Sequence, residues 1–599
     1  MTKRGQKCDS LMLAFENQWF ISRQVYRQGC FILPMTCIRV CQSIDKRILR
    51  MKKTIQTFIS LLILSLLWVG SAKALPTLLH NVKGYTFADG ELQQFNSILF
   101  EDGVILATGE QEELSKLHSF SISIDGKGKT LLPGLIDAHG HLLGLGLNLM
   151  RVNLRGIESE DETVKAVAGY AEKNPDTRWV LGRGWNQVLW LSKEFPTKSS
   201  LDKVIADRPI WLSRIDGHAG WANSKALKLA GIDKNTPDPE GGKIIRDQNG
   251  EATGVLIDAA MSLVENKIPP LNKKERKTAL KLAFDHLISL GITSVHDAGV
   301  DFETYKLMLE LSDKNRIPLR VYAMLSGADP RLEAMLKFGK VNQPFLKIQS
   351  VKLYTDGALG SRGAALLEPY SDEPDNKGLL LTTADKLGQY LALITKYGFQ
   401  TNIHAIGDAA NHMVLEKLSK LDKERSAKTL RHRIEHAQVV VPEEIPMFAK
   451  LGVIASMQPT HATSDMNMAG DRLGEERLEG AYAWRTFLEH DVVIASGSDF
   501  PVEKANPFLG LHAAVTRQDS DNLPKDGWLP SQKLTVAEAL KSFTIDAAYA
   551  GFWENKIGSL KEGKQADFIL IDKDIFTVSE DKIDDVQVLE TWIEGKRVH

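Results

Sequence analysis

Cysteine is confined to one end of this chain. The 599 residues hold four, Cys8, Cys30, Cys37 and Cys41, and none follows. From residue 42 onward no disulfide, thiolate nucleophile or cysteine-ligated metal is available. A glycine-rich phosphate loop is also missing, which argues against a doubly wound nucleotide-binding sheet. Positive charge is outweighed by negative outside the first segment. The formal net charge is −2. Residues 1–50 carry nine Lys/Arg against three Asp/Glu and residues 51–74 add three Lys, so residues 75–599 stand at −11. That balance argues against a nucleic-acid partner.

Long apolar runs are rare too. The notable one, Phe58–Gly70, follows Met51-Lys52-Lys53 and precedes Ser71-Ala72-Lys73-Ala74. A basic start, a short apolar stretch and a small-x-small ending predict a secretory signal peptide over 51–74, cleaved after Ala74. The run is short for a spanning helix, so no stable membrane insertion is expected after cleavage. The expected location is periplasmic or secreted, with Leu75–His599 as the mature chain. Residues 1–50 read as a non-native upstream extension, with translation starting at Met51, or as a disordered arm.

The mature chain begins and ends with short strand patterns. Ser97–Phe100, Val104–Ala107 and Phe120–Ile124 are separated by Asp102-Gly103 and followed by Asp125-Gly126, and Ala566–Asp572 and Val586–Ile593 have the same texture. They predict one composite, β-sandwich-like domain from residues 75–130 and 552–599. Between them, eight apolar strand candidates alternate with helical stretches. They are 131–141, 291–297, 319–324, 348–354, 399–404, 432–436, 453–457 and 492–499. Eight β–α units predict an α/β fold of the TIM (β/α)8 type over 131–551. An insertion of about 153–272 is too long for a plain loop and is expected to fold as a lobe over the barrel mouth. It holds five tryptophans, Trp179, Trp185, Trp190, Trp211 and Trp221. Most should pack the lobe's own core, and Trp185 is a candidate for the substrate pocket.

Ligand-type residues recur at the C-terminal ends of these strands, where barrel active sites lie. His139 and His141 end the first, and positions i and i+2 of a strand face the same side. Lys352 is near the end of the fourth. His404 ends the fifth, His436 the sixth and Asp499 the eighth. Singly, each has an ordinary structural reading as a hydrogen-bonded side chain or a helix cap. Together, at one end of successive strands, they predict a metal site.

The motifs Pro133–His141, Val351–Arg362, His404–Asp408, Glu435–Ala437 and Gly497–Pro501, with the tail Ile557–Asp567, resemble those of the metal-dependent amidohydrolase superfamily, in its family 3 branch. The resemblance covers essentially all of Leu75–His599. It implies that His139 and His141 bind one metal and that His404 and His436 bind a second. It implies that Lys352 is carboxylated and bridges the two, since a free ammonium cannot ligate. It implies that Asp499 binds a metal and takes the proton from the attacking water. Zinc is the expected metal, with iron and manganese as alternatives. A mononuclear site, with Lys352 acting only as a charge, is the alternative arrangement.

The implied reaction is hydrolysis of non-peptide C–N bonds, in N-acyl or N-formyl amines or cyclic amides, by metal-activated water. The alternatives are a deaminase, an esterase or lactonase on the same site, and a non-catalytic regulatory or binding protein that kept the fold. His218, in the segment Arg214–Asn223, is expected over the pocket as a catalytic contact or else as a turn histidine. Arg362 is a candidate for a substrate carboxylate. His296 and Gln458 are further candidates for substrate binding, and His461 is expected near the rim but not as a ligand. The partner is a small molecule, and homodimerisation is expected by analogy with the fold.

Overall fold

A computed structural model describes residues 76–214, 218–422 and 427–599. The four cysteines, the expected signal peptide and the upstream segment lie outside these residues. Among the described residues, no helix is long and apolar enough to cross a membrane.

Eight strands form a parallel barrel: β1 (Leu135–Gly140), β2 (Ile292–Val300), β3 (Arg320–Ser326), β4 (Leu346–Tyr354), β5 (Gln400–Ala405), β6 (Arg433–His436), β7 (Ile454–Met457) and β8 (Ile494–Ser496). Each pairs with the next in chain order. Closure from β8 back to β1 uses a different device. A bridge links Gly140 to Phe500. The Asp499 N–H donates to His139 O at 2.7 Å, and the His141 N–H donates to Phe500 O at 2.8 Å. Below them the buried Asp137 carboxylate accepts from the Ser498 hydroxyl at 2.6 Å. Closure therefore fixes the two histidines of β1 and Asp499 in one frame.

The opening strand expected over 131–141 is two strands. Residues Ile122–Pro133 pair with Phe568–Ile571 of the C-terminal segment. The barrel strand starts only at Leu135. Pro133 has no N–H to offer a ladder. Gly134 turns the chain where a Cβ would meet the Thr293 side chain, and its N–H donates to Asp567 O at 2.9 Å. The apolar run is continuous in sequence because both halves are buried, in different sheets.

The terminal sheet has eight strands, drawn from residues 77–133 and 568–597. It curls so that Val104 bridges to Gln565, enclosing Leu79, Ile98, Phe100, Leu131, Phe568 and Trp592. The buried pair of Arg320 on β3 and Asp567, 2.9 Å apart, ties this sheet to the barrel. The lobe holds a six-stranded sheet in the order Gly242–Arg246, Ala252–Asp258, Ala219–Ala222, Ile210–Arg214, Val180–Trp185, Val152–Asn153.

Helices cover the barrel. The helix Lys273–Ser289 starts in a capping box, with the Asn272 side chain accepting from the Glu275 N–H and the Glu275 side chain accepting from the Asn272 N–H. It buries Leu280, Ala283, Phe284 and Leu287. The helix Leu142–Leu149 packs on it with Gly146 at the crossing, where a methyl group would run into the Ala279 carbonyl. A Gly146→Ala chain should therefore lose about 1–3 kcal/mol of stability from overpacking, despite alanine's better helix propensity. Urea unfolding followed by circular dichroism measures this, and an unchanged or raised midpoint would show that the two backbones are not in close contact.

Candidate metal centre

Three side chains from three strand ends converge. The ligand atoms of His139, His436 and Asp499 all lie within 4.8 Å of one another, and all three residues are buried. Each imidazole has one nitrogen already engaged. His139 Nδ1 bonds to the Glu435 carboxylate. His436 Nδ1 lies 2.7 Å from Gln458 Oε1. An engaged Nδ1 fixes the ring and leaves the Nε2 lone pair for a cation. Asp499 brings Oδ1 to 3.6 Å from His139 Nε2 and to 3.0 Å from His141 Nε2.

The electrostatics suit ligands in the required protonation states. Burial, with Lys352 nearby, pulls His139 down to about 4. Burial and the surrounding histidines pull His436 well below the ordinary imidazole value. Both are neutral near pH 7, as a nitrogen ligand must be. Burial alone would raise Asp499, but the hydrogen bond from His141 and the neighbouring histidines hold it well below the usual carboxylate range. His436 and Asp499 both adopt positive φ, 78° and 58°. Such left-handed backbone in non-glycine residues costs about 1–3 kcal/mol and concentrates at functional sites.

Three neighbours complete the rim. Lys352 is buried with Nζ 3.2 Å from His139 Nε2, and burial lowers it to about 8 against the pull of Glu435 and Asp499. The His404 ring lies 4.5 Å from His436, but its Nε2 is turned to Asp356 at 3.5 Å. His461 stacks on His436 at 5.7 Å and reaches Asp499 Oδ2 at 3.6 Å. Among buried atoms without a hydrogen-bond partner are His404 Nε2 and His461 Nε2. Unpartnered buried nitrogens beside the converging trio are what an ion would satisfy, so the donor set of His139, His436 and Asp499 fits a divalent metal of the nitrogen- and oxygen-preferring kind.

The grouping differs from the one expected. The resemblance implied His139 with His141 and His404 with His436. The converging trio instead takes one histidine from each pair, joined by Asp499. His461 was set aside in the sequence. It sits in the first turn of the helix Pro459–Leu473, and the turn after β7, with Pro459 at the helix start, aims it at the cluster.

Several other expectations are corrected by packing. Gln458 does not face substrate. It is buried, accepts from His436 through Oε1 and donates to Ser456 O at 3.0 Å. His296 is fully buried in the barrel, 2.9 Å from an Arg433 nitrogen through Nδ1. Arg362 is already taken by Asp372 at 2.8 Å and Glu373 at 3.3 Å. Trp185 packs the lobe core against Trp190 and Trp221 and donates to Leu212 O at 2.8 Å. His218 stands exposed on the lobe, 2.8 Å from Asp258, and the trio around Asp499 does not include it. These are side chains closed by partners distant in sequence, which no spacing rule announces.

Gln458 thereby gives a specific expectation. Gln458→Ala should leave the fold intact and weaken metal affinity by about 10–100-fold, the usual loss when a supporting ligand partner is removed. Competition against a chromogenic chelator reads this directly, and an affinity within twofold of the parent would show that Gln458 does not hold His436.

Comparison with known proteins identifies the family and the fold. The profile described as Amidohydrolase family matches residues 123–599. Over 528 residues the chain is 35% identical to Protein LONG AFTER FAR-RED 3 of Arabidopsis thaliana, covering 86% of this chain and 90% of that one. It is 32% identical to the putative amidohydrolase YtcJ of Bacillus subtilis, with 86% and 98% covered. It is 26% identical to the N-substituted formamide deformylase of Arthrobacter pascens, with 83% and 94% covered. Among solved structures, an uncharacterised metal-dependent hydrolase from Pyrococcus furiosus superposes with a TM-score of 0.70 at 29% identity, covering 84% of this chain and all of that one.

Proposed function

The chain belongs to the amidohydrolase family, and from that premise we propose that it hydrolyses a non-peptide C–N bond of a small molecule, of the N-acyl amine, N-formyl amine or cyclic amide type. One observation carries the reading. His139 and His436 each have Nδ1 tied back, to Glu435 and Gln458, so that both Nε2 atoms and the Asp499 carboxylate face one space.

A divalent metal held by His139, His436 and Asp499, zinc in this proposal, would supply Lewis acidity toward the carbonyl and lower the pKa of water. The residues do the rest. Asp499, ionised in its buried setting, orients the water and accepts its proton. Water oxygen bonds to the carbonyl carbon, the C–N bond breaks, and the proton held by Asp499 passes to the leaving nitrogen. His141 stabilises the Asp499 carboxylate from 3.0 Å. Lys352, as a carbamate, together with His404 would extend the site to a second ion. The similarity to an N-substituted formamide deformylase supports the choice of bond. The predicted signal peptide supports export, and N-terminal sequencing of protein from the periplasm or medium should begin at Leu75.

The test is a screen of metal-reconstituted protein against N-formyl amines, N-acyl amino acids, cyclic amides, amino-purines and esters. Release of an amine is expected. Ammonia from a ring substrate, or an alcohol from an ester, as the dominant product would overturn the assigned bond.

A further inference from the structure

A groove of about 790 Å³ lies where the lobe's first strand faces the barrel. Its walls include Leu145, Thr460 and Pro501, which come shortly after His141, Gln458 and Asp499 in the chain. None of the metal-site trio lines it.

The lobe side of this groove is cationic by construction. Residues 151–155 alternate between exposed or half-buried and buried, with Val152 and Leu154 turned inward. Arg151, Asn153 and Arg155 therefore share the other face. Asn153 is in register with Arg183 on the neighbouring strand Val180–Trp185, which adds a third guanidinium beside them. All three arginines line the groove, and Lys504 enters from the loop after β8. Two acids also line it. Glu503 accepts from the Ser464 hydroxyl at 2.6 Å, and Asp519 accepts from the Asp521 and Leu523 N–H groups.

Among the described residues, no side chain forms a hydrogen bond or ion pair with the guanidinium of Arg151, Arg155 or Arg183. Other arginines here are closed by carboxylates: Arg320 by Asp567, Arg331 by Asp329, Arg485 by Glu538. Arg151 feels the like charge of Arg183 and the opposite charge of Glu265. Three guanidiniums and Lys504 outnumber the two acids of the lining, and a net-positive concave wall in a chain that is net negative suits an external anion. Planar guanidiniums match an oxyanion in paired hydrogen bonds, and the volume is that of a small-molecule site.

We propose that this groove binds a small molecule through an oxyanion group, a carboxylate or a phosphate, held by Arg151, Arg155 and Arg183. The assignment stands apart from which bond the metal centre hydrolyses.

Isothermal titration of the metal-loaded protein with succinate and, separately, with inorganic phosphate tests it. Saturable binding is expected, weakening as salt is added. Tighter binding of succinate assigns a carboxylate ligand, and tighter binding of phosphate a phosphorylated one. Arg151→Gln and Arg183→Gln should each weaken binding at least tenfold, while Lys228→Gln, an exposed charge-matched control, leaves it within twofold. Arg183 is exposed on a strand, so its variant keeps the test valid if Arg151→Gln misfolds. Absence of saturation with both anions overturns the proposal. So does affinity that survives both arginine substitutions but is lost in His139→Ala, which would place the anion at the metal centre.

Discussion

Asp499→Asn is expected to reduce kcat/KM by about 10²–10⁴-fold, the span associated with loss of a general base, with kcat carrying most of the loss. Asparagine keeps the shape and one acceptor oxygen but can neither carry the negative charge nor take the proton. The barrel closure should survive, because it runs through the Asp499 backbone N–H to His139 O and not through the carboxylate. The variant should therefore keep its unfolding midpoint while losing turnover. His461→Ala removes a neighbour of the same carboxylate, 3.6 Å from Oδ2, without touching the proton acceptor, and should cost less. Steady-state kinetics on the substrate identified by the screen decides the matter. Activity of Asp499→Asn within tenfold of the parent would remove Asp499 from the chemistry.

The second large effect is on stability. Arg433→Met should destabilise the protein by about 3–5 kcal/mol, the cost of leaving a buried charge without its partner. Arg433 is fully buried on β6. It lies 2.8 Å from Glu435, donates to Ala138 O and the Ser456 hydroxyl at 2.7 Å each, and meets His296 at 2.9 Å. It thus links β1, β2, β6 and β7 in the barrel interior. Glu435 depends on it. Burial would raise that carboxylate, yet Arg433 and His139 hold it far below the usual range. Removing the guanidinium strands Glu435, and through it the Nδ1 bond that orients His139. The double variant Arg433→Met/Glu435→Leu should regain part of the lost stability, because both charges are then gone, but it should not regain metal affinity. Urea midpoints for the single and double variants measure both halves of the expectation, and a single variant within 1 kcal/mol of the parent contradicts it.

Arg433 and Glu435 also show where sequence reading stops. The barrel was legible because its strands are apolar, bounded by turns and spaced by helices, and because polar residues fall at the same end of each. That pattern is a property of each segment alone. What a polar side chain bonds to is a property of the segment opposite. Gln458, just past β7, and His296, within β2, both read as site residues. One closes on His436 and the other on Arg433. Arg362 reads as a free cation until the chain returns ten residues later with Asp372. Trp185 reads as an aromatic near a pocket until Trp190 and Trp221 surround it. The division at Pro133-Gly134 was written in the chain, since proline cannot serve a central strand. It was masked by the apolar residues on both sides, which are buried in two different sheets.

Metal stoichiometry tests the central claim most directly. After loading with zinc and removal of excess, inductively coupled plasma mass spectrometry of the parent, His139→Ala and His436→Ala proteins should find at least one tightly held zinc per chain in the parent and a substoichiometric amount in both variants. Equal zinc in all three, or none in the parent, would contradict a centre built on His139, His436 and Asp499.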